Sequence, residues 1–186
     1  LKEINHLLND NCFKNTSVCP GDAQQLRDTY NLEQFDPFRL AVPIESIFDG
    51  SDSENSICIG GHVYHRVYTD GSAINGTSRA LARAGWGFFF GKNSKHNISS
   101  KMHGPVQTSY RAEVRALLHA IQTAGTPICV YVDCQGVVNT INNFVDSGYI
   151  IPTKLNEADL WERIFEVVKC APQDYYKFQW MPSHLD

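Results

Sequence analysis

The 186-residue chain contains no apolar run that approaches the ~20 residues of a membrane-spanning helix, so no helical span and no membrane partner are expected. It has no C-x-x-C pair and no cysteine–histidine cluster at zinc spacing, the six cysteines standing at 12, 19, 58, 129, 134 and 170. That scatter predicts a reduced, intracellular protein of cytoplasm or nucleus, not a secreted disulfide scaffold. No signal peptide is expected, so the N-x-[ST] triplets opened by Asn15, Asn75 and Asn97 are given no weight as glycosylation sites. Internal repeats and low-complexity tracts are missing too, which excludes a repeat array. The chain starts at Leu1 and not at methionine, and it stops after Asp186; both ends read as cut from something longer.

What is present suits one domain of ordinary size with an appendage. Apolar residues make up 42% and charged residues 19%, enough to bury a core and unlike a disordered chain. The net charge of −4 argues at first against a nucleic-acid partner, but the charge is unevenly spread. Residues 1–62 carry 4 Lys/Arg against 10 Asp/Glu, whereas residues 63–186 carry 12 against 10. The second part is mildly basic, and bound metal ions would neutralise some of its acids.

Organisation follows the same division. Residues 1–56 read as an N-terminal extension or linker, with short helices near 2–8 and 22–30, prolines at 37 and 43, and a polar run from Asp49 to Ser56. From residue 57 the pattern predicts a domain extending to 186. His62–Asp70 alternates as a strand ended by Gly71-Ser72, and Gly85–Phe90 and Asn97–His103 follow as further strands of a glycine-punctuated meander. Val114, Leu117, Leu118 and Ile121 place one apolar face on a helix over Arg111–Thr123. Pro127–Asp133 is short, β-branched and apolar, as a buried central strand should be. Two more helices, one around Val137–Val145 and one around Leu160–Val168, precede a last strand at Tyr175–Trp180. The order predicts an α/β fold, a five-stranded mixed sheet flanked by helices.

Three carboxylates occupy telling places in that order. Asp70 closes the first strand, Asp133 closes the buried strand, and Glu113 lies in the first turn of the helix between them. If the two strands are neighbours, Asp70 and Asp133 emerge side by side at the carboxyl edge of the sheet, where open α/β sheets place their sites. Any one of these acids alone reads as a turn or cap residue. Together they would repel and raise one another's pKa values, a cost that a hard divalent cation with oxygen ligands removes. Mg²⁺, or Mn²⁺, is the expected metal.

The segments that carry these acids resemble the type 1 ribonuclease H family, including the ribonuclease H domains of retroelement polyproteins. The matching blocks are Tyr68-Thr69-Asp70-Gly71-Ser72-Ala73, Ala84-Gly85-Trp86-Gly87, Arg111-Ala112-Glu113, Tyr131-Val132-Asp133-Cys134-Gln135, Asp159-Leu160-Trp161-Glu162-Arg163-Ile164 and Trp180-Met181-Pro182-Ser183-His184. They run through residues 62–186 in the family's order. The resemblance implies hydrolysis of the RNA strand of an RNA–DNA hybrid with two metal ions per site, Asp70 bridging them and Glu113 and Asp133 each binding one. It implies substrate contacts from Ser109, Tyr110 and Gln135, and a loop histidine, His184, that assists the attacking water or product release. The Leu1 start and the unmatched, acidic N-terminal segment fit a connection following a polymerase of the same polyprotein, and a free-standing cellular enzyme with an N-terminal extension is the close variant. The family carries a fourth metal-binding carboxylate on a helix beyond the loop histidine, whereas this chain ends two residues after His184. On that ground the chain as it stands is expected to cut poorly, with Asp186 the weaker substitute for the missing ligand. The alternative reading is a catalytically weakened module of this fold that binds nucleic acid without cutting it. Retention of all three acids within the chain discriminates against it.

Overall fold

A computed structural model of the chain describes residues 48–51, 54–76 and 81–182. The helices expected near 2–8 and 22–30 lie outside the described residues, as do Arg79, His184 and Asp186. The elements in order are β1 (Ser56–Ile59), β2 (His62–Ile74), β3 (Arg83–Phe89), β4 (Ile98–Lys101), α1 (Ser109–Thr123), β5 (Ile128–Val132), α2 (Gln135–Asp146), α3 (Ala158–Cys170) and β6 (Tyr176–Trp180).

The sheet has six strands, one more than the sequence pattern suggested, in the order β4-β3-β2-β5-β6 with β1 paired to β2. The additional strand, β1, lies at the end of the polar run read as a linker. It is only four residues long, so alternation could not reveal it. A hairpin joins it to β2 through Gly60 and Gly61, both at positive φ, 61° and 85°, where glycine avoids the Cβ clash of other residues. Successive N–H groups of β2 point to opposite sides. That of His65 bonds Pro127 O at 3.0 Å towards β5, and that of Arg66 bonds Asn55 O at 2.9 Å towards β1. β1 therefore borders β2 on the side that β3 takes further along.

β2 also outruns its expected end. Gly71-Ser72 is not a turn but continues the ladder with β3, where Asp70 pairs with Gly87, Ser72 with Gly85 and Ile74 with Arg83. β4 extends this antiparallel half, whereas β5 and β6 join in parallel. The parallel pairing matters most for function, because it points the carboxyl ends of β2 and β5 the same way.

Each helix buries the face that its periodicity marks. Val114, Leu117, Leu118 and Ile121 of α1 pack on the sheet, and Val137, Ile141 and Phe144 of α2 meet Phe165 and Trp161 of α3 in one core. Phe144 and Phe165 stack at a centroid distance of 4.0 Å. Phe48, upstream of residue 57, belongs to this core as well. Its N–H bonds Thr123 O at 2.6 Å, its carbonyl accepts from Gly125 N at 2.6 Å, and its ring stacks on Phe90.

Candidate active site

Register brings the first two acids together. Thr69 pairs with Val132 across the parallel β2/β5 ladder, so the next residues on the two strands are Asp70 and Asp133. The third acid arrives because α1 starts directly against β2. A Cβ on Gly71 would lie 2.2 Å from the Glu113 backbone nitrogen and 2.4 Å from the Ala112 carbonyl carbon. Only glycine permits that approach. The Gly71 N–H uses the closeness to donate to Glu113 Oε1 at 2.8 Å. The first turn of α1 is in turn fixed by Thr108, whose hydroxyl accepts from Arg111 N at 3.1 Å as an N-cap.

Asp70, Glu113 and Asp133 thus each present an oxygen within 4.8 Å of the others. Glu113 is 5% exposed. Burial pushes its pKa up to about 8 against the opposing Gly71 N–H bond, and the charges of Asp133 and Asp70 add to the rise. Glu113 Oε2 is buried and accepts a hydrogen bond from no donor among the described residues. Two ionised carboxylates cannot bond to each other. Either Glu113 takes a proton and donates it to Asp133, or a cation lies between them. A buried oxygen without a donor, in an all-oxygen cluster that is half open to solvent, fits a hard divalent ion.

The backbone beside Asp133 is clamped by β6. Met181 N bonds Val132 O at 3.0 Å, and the Trp180 indole N–H donates to Asp133 O at 2.9 Å. Asp70 and Asp133 open into a groove of about 920 Å³ whose walls include Tyr68, Phe89, Ile98 and Met181.

The other residues singled out from sequence are placed as follows. Ser109 is exposed at the start of α1, and Gln135 is exposed at the start of α2, two residues past Asp133. Tyr110 is half-buried, and its hydroxyl accepts from Trp161 Nε1 at 3.3 Å, so it helps pack α1 on α3. His184 lies outside the described residues. His119, unassigned from sequence, is stacked flat on Trp86 at 4.2 Å, and burial drives its pKa down to about 3, so it is a neutral core residue.

Two supporting residues escaped individual notice in the sequence. Trp180 is one; its place in the last matched block was the available signal. Arg111 is the other. It is 4% exposed, forms a two-pronged pair with Asp159 at 2.9 and 2.5 Å, and also pairs with Glu157.

Residues 63–186 match the family described as RNase H, and the chain belongs to that family. Ribonuclease H of Schizosaccharomyces pombe (strain 972 / ATCC 24843) is 31% identical over 100 residues, which are 53% of this chain and 36% of that protein. The chain therefore spans about a third of that relative's length. Among solved structures, the solution structure of the PFV RNase H domain is 22% identical with a TM-score of 0.49, covering 64% of this chain and 79% of that one. The native protease–reverse transcriptase of Prototype Foamy Virus is 21% identical with a TM-score of 0.48, covering 64% of this chain and 17% of that one.

Proposed function

We propose that the protein is an endoribonuclease that hydrolyses the RNA strand of RNA–DNA hybrids. The observation that carries this reading is the meeting of Asp70, Glu113 and Asp133 within 4.8 Å, brought from within β2, from the start of α1 and from the residue that follows β5. Their donor set suits two Mg²⁺ or Mn²⁺ ions, which when bound would activate a water and stabilise the leaving 3′ oxygen. Asp70, open to solvent, would serve both ions in this reading. Glu113 and Asp133 would each hold one. Gly71 N–H keeps Glu113 Oε1 fixed and leaves Oε2 facing the cluster, so the protein spends little reorganisation when the site fills.

The residues around the acids suit a hybrid. Ser109 and Gln135, exposed at two helix starts, would read a 2′-hydroxyl and a groove edge in this reading. His184 is proposed as the proton carrier near the reacting phosphate. The setting proposed is an intracellular retroelement polyprotein, with residues 1–56 as the connection following a polymerase. Four described cysteines, Cys58, Cys129, Cys134 and Cys170, are free thiols, which suits a reducing compartment. No helix among the described residues is long and apolar enough to cross a membrane.

The test is a labelled RNA–DNA hybrid incubated with the protein and Mg²⁺. Cutting, slow in the chain as it stands, is expected in the RNA strand alone, with pure DNA and pure RNA duplexes left intact. Asp70→Asn keeps the shape and removes the bridging charge. It should abolish cleavage while melting at the same temperature or higher, because it also relieves repulsion among the acids. Undiminished cutting by this variant would overturn the assignment of Asp70.

A further inference from the structure

Between Asp70 and Glu113 the sequence has no acidic residue at all. Residues 71–112 carry six Lys/Arg (Arg79, Arg83, Lys92, Lys95, Lys101 and Arg111) and no Asp or Glu. This stretch supplies the end of β2 together with β3 and β4, one whole flank of the site. The opposite flank is different, since residues 134–182 hold six acids against four bases. Of these bases, Arg83 and Lys101 stand on β3 and β4 beside Asp70, whereas Arg111 is paired with Glu157 and Asp159; an anionic strand crossing the site is drawn to the β3–β4 side.

Pairing register gives that flank its form. Residues directly opposite in antiparallel strands share a face. Asp70 faces Gly87, which faces Ser99; Ser72 faces Gly85, which faces Lys101; and Ile74 faces Arg83. This is the outer face, since Ala84, Trp86 and Phe88 are buried on the other. Asp70, Ser72, Gly85, Gly87, Ser99 and Lys101 line one continuous trough. At ideal sheet spacings the Cα atoms of Asp70 and Lys101 are about 12 Å apart.

Gly85 shows that the trough is kept clear at a cost. It lies within a strand, where glycine is weakening. Its backbone does not need glycine, because its φ is outside the left-handed region, and a Cβ there would come no nearer than 3.5 Å to Ser100 O. Neither conformation nor packing asks for the missing side chain. Close approach of something from outside does.

We propose that this cationic flank is the track for the sugar–phosphate backbone of the strand being cut, leading it from Asp70 across β3 to Lys101 on β4. The inference rests on the ribonuclease reading above. Lys101 neutralises a phosphate on the flank of the scissile one, Ser72 and Ser99 offer hydroxyl donors, and Gly85 lets the backbone lie against the sheet.

The test measures hybrid affinity in the Asp70→Asn background, with Mg²⁺ and across a salt series. Lys101→Ala is expected to weaken binding several-fold and to reduce the slope of log K against log[salt] by about 1, the loss of one phosphate contact. Lys101→Arg should restore the slope. Gly85→Val should weaken binding with an unchanged or higher melting temperature, because valine suits a strand and has room. In the otherwise unchanged protein both should raise KM and leave kcat at saturating hybrid as it was. Replacing flanking phosphates singly by methylphosphonates should reveal one position that matters to the parent and not to Lys101→Ala. An unchanged salt slope in Lys101→Ala overturns the track whether or not Gly85→Val folds. If the protein cuts hybrid but both variants match it, the track alone is wrong. Failure to bind hybrid at all overturns the ribonuclease reading as well.

Discussion

Burial decides the state of Glu113 before any ion arrives. In the unfolded chain this carboxyl titrates near its ordinary 4.5, and in the folded metal-free protein near 8, chiefly because burial disfavours its charge. Between those values the native state holds a proton that the unfolded state has lost. The stability linked to that proton is fully present below the unfolded pKa and disappears as pH rises through about 8. The metal-free protein should therefore melt at falling temperature from pH 5 to 8, roughly 1 kcal/mol per pH unit at steepest from this group. Glu113→Gln should flatten that part of the profile. At pH 7 a divalent ion must displace the proton, so titration calorimetry in two buffers of different ionisation enthalpy should register about one proton released per site. Gly71 works at the same scale. Gly71→Ala places a methyl group on the backbone of Glu113, so α1 has to move off β2. The expected loss is at the upper end of ~1–3 kcal/mol in denaturant unfolding, with metal affinity lost as well. The mutual raising of the acids' pKa values was legible in the sequence, but the close approach of Gly71 and the burial that chiefly holds the proton on Glu113 were not, because both arise from packing between distant residues.

At the scale of elements, the site depends on α1 holding its first turn over β2. Three contacts fix that turn: the Thr108 cap, the Gly71–Glu113 bond and the pairing of Arg111 with Asp159 and Glu157 at the start of α3. The Asp159 carboxyl is held below its usual pKa mainly by its hydrogen bond from Arg111. Arg111→Ala leaves Glu157 and Asp159 without their cation, so unfolding in urea should show a loss of ~1–3 kcal/mol, below that of a fully buried pair because both acids are partly exposed. A matching drop in divalent affinity is expected, since Glu113 is two residues further along the same turn. Arg111 and Asp159 each stood in a matched block, but their partnership did not appear there. Helical periodicity shows which residues face inward and not which charge meets which.

The whole molecule divides at the carboxylate cluster into unlike flanks. The antiparallel half, β2 to β4, is basic and glycine-floored, whereas the half built from α2, α3 and β6 carries more acids than bases. A net charge of −4 conceals this, because total charge records no position. The division by element was readable along the chain, but its consequence depends on both flanks meeting the same sheet edge.

The sequence by itself determined the α/β class, the three helices, most of the strands and the three acids. Each of these follows from local pattern: apolar spacing of 3.6 or 2, a β-branched buried strand, a carboxylate where an element ends. Only tertiary structure decided that β1 joins the sheet, that β2 runs through Gly71-Ser72 to Ile74, and that Phe48 belongs to the core. It also decided that Asp70, Glu113 and Asp133 stand within 4.8 Å. These depend on strand register and on one helix seated against one glycine, relations between distant residues that no window along the chain contains.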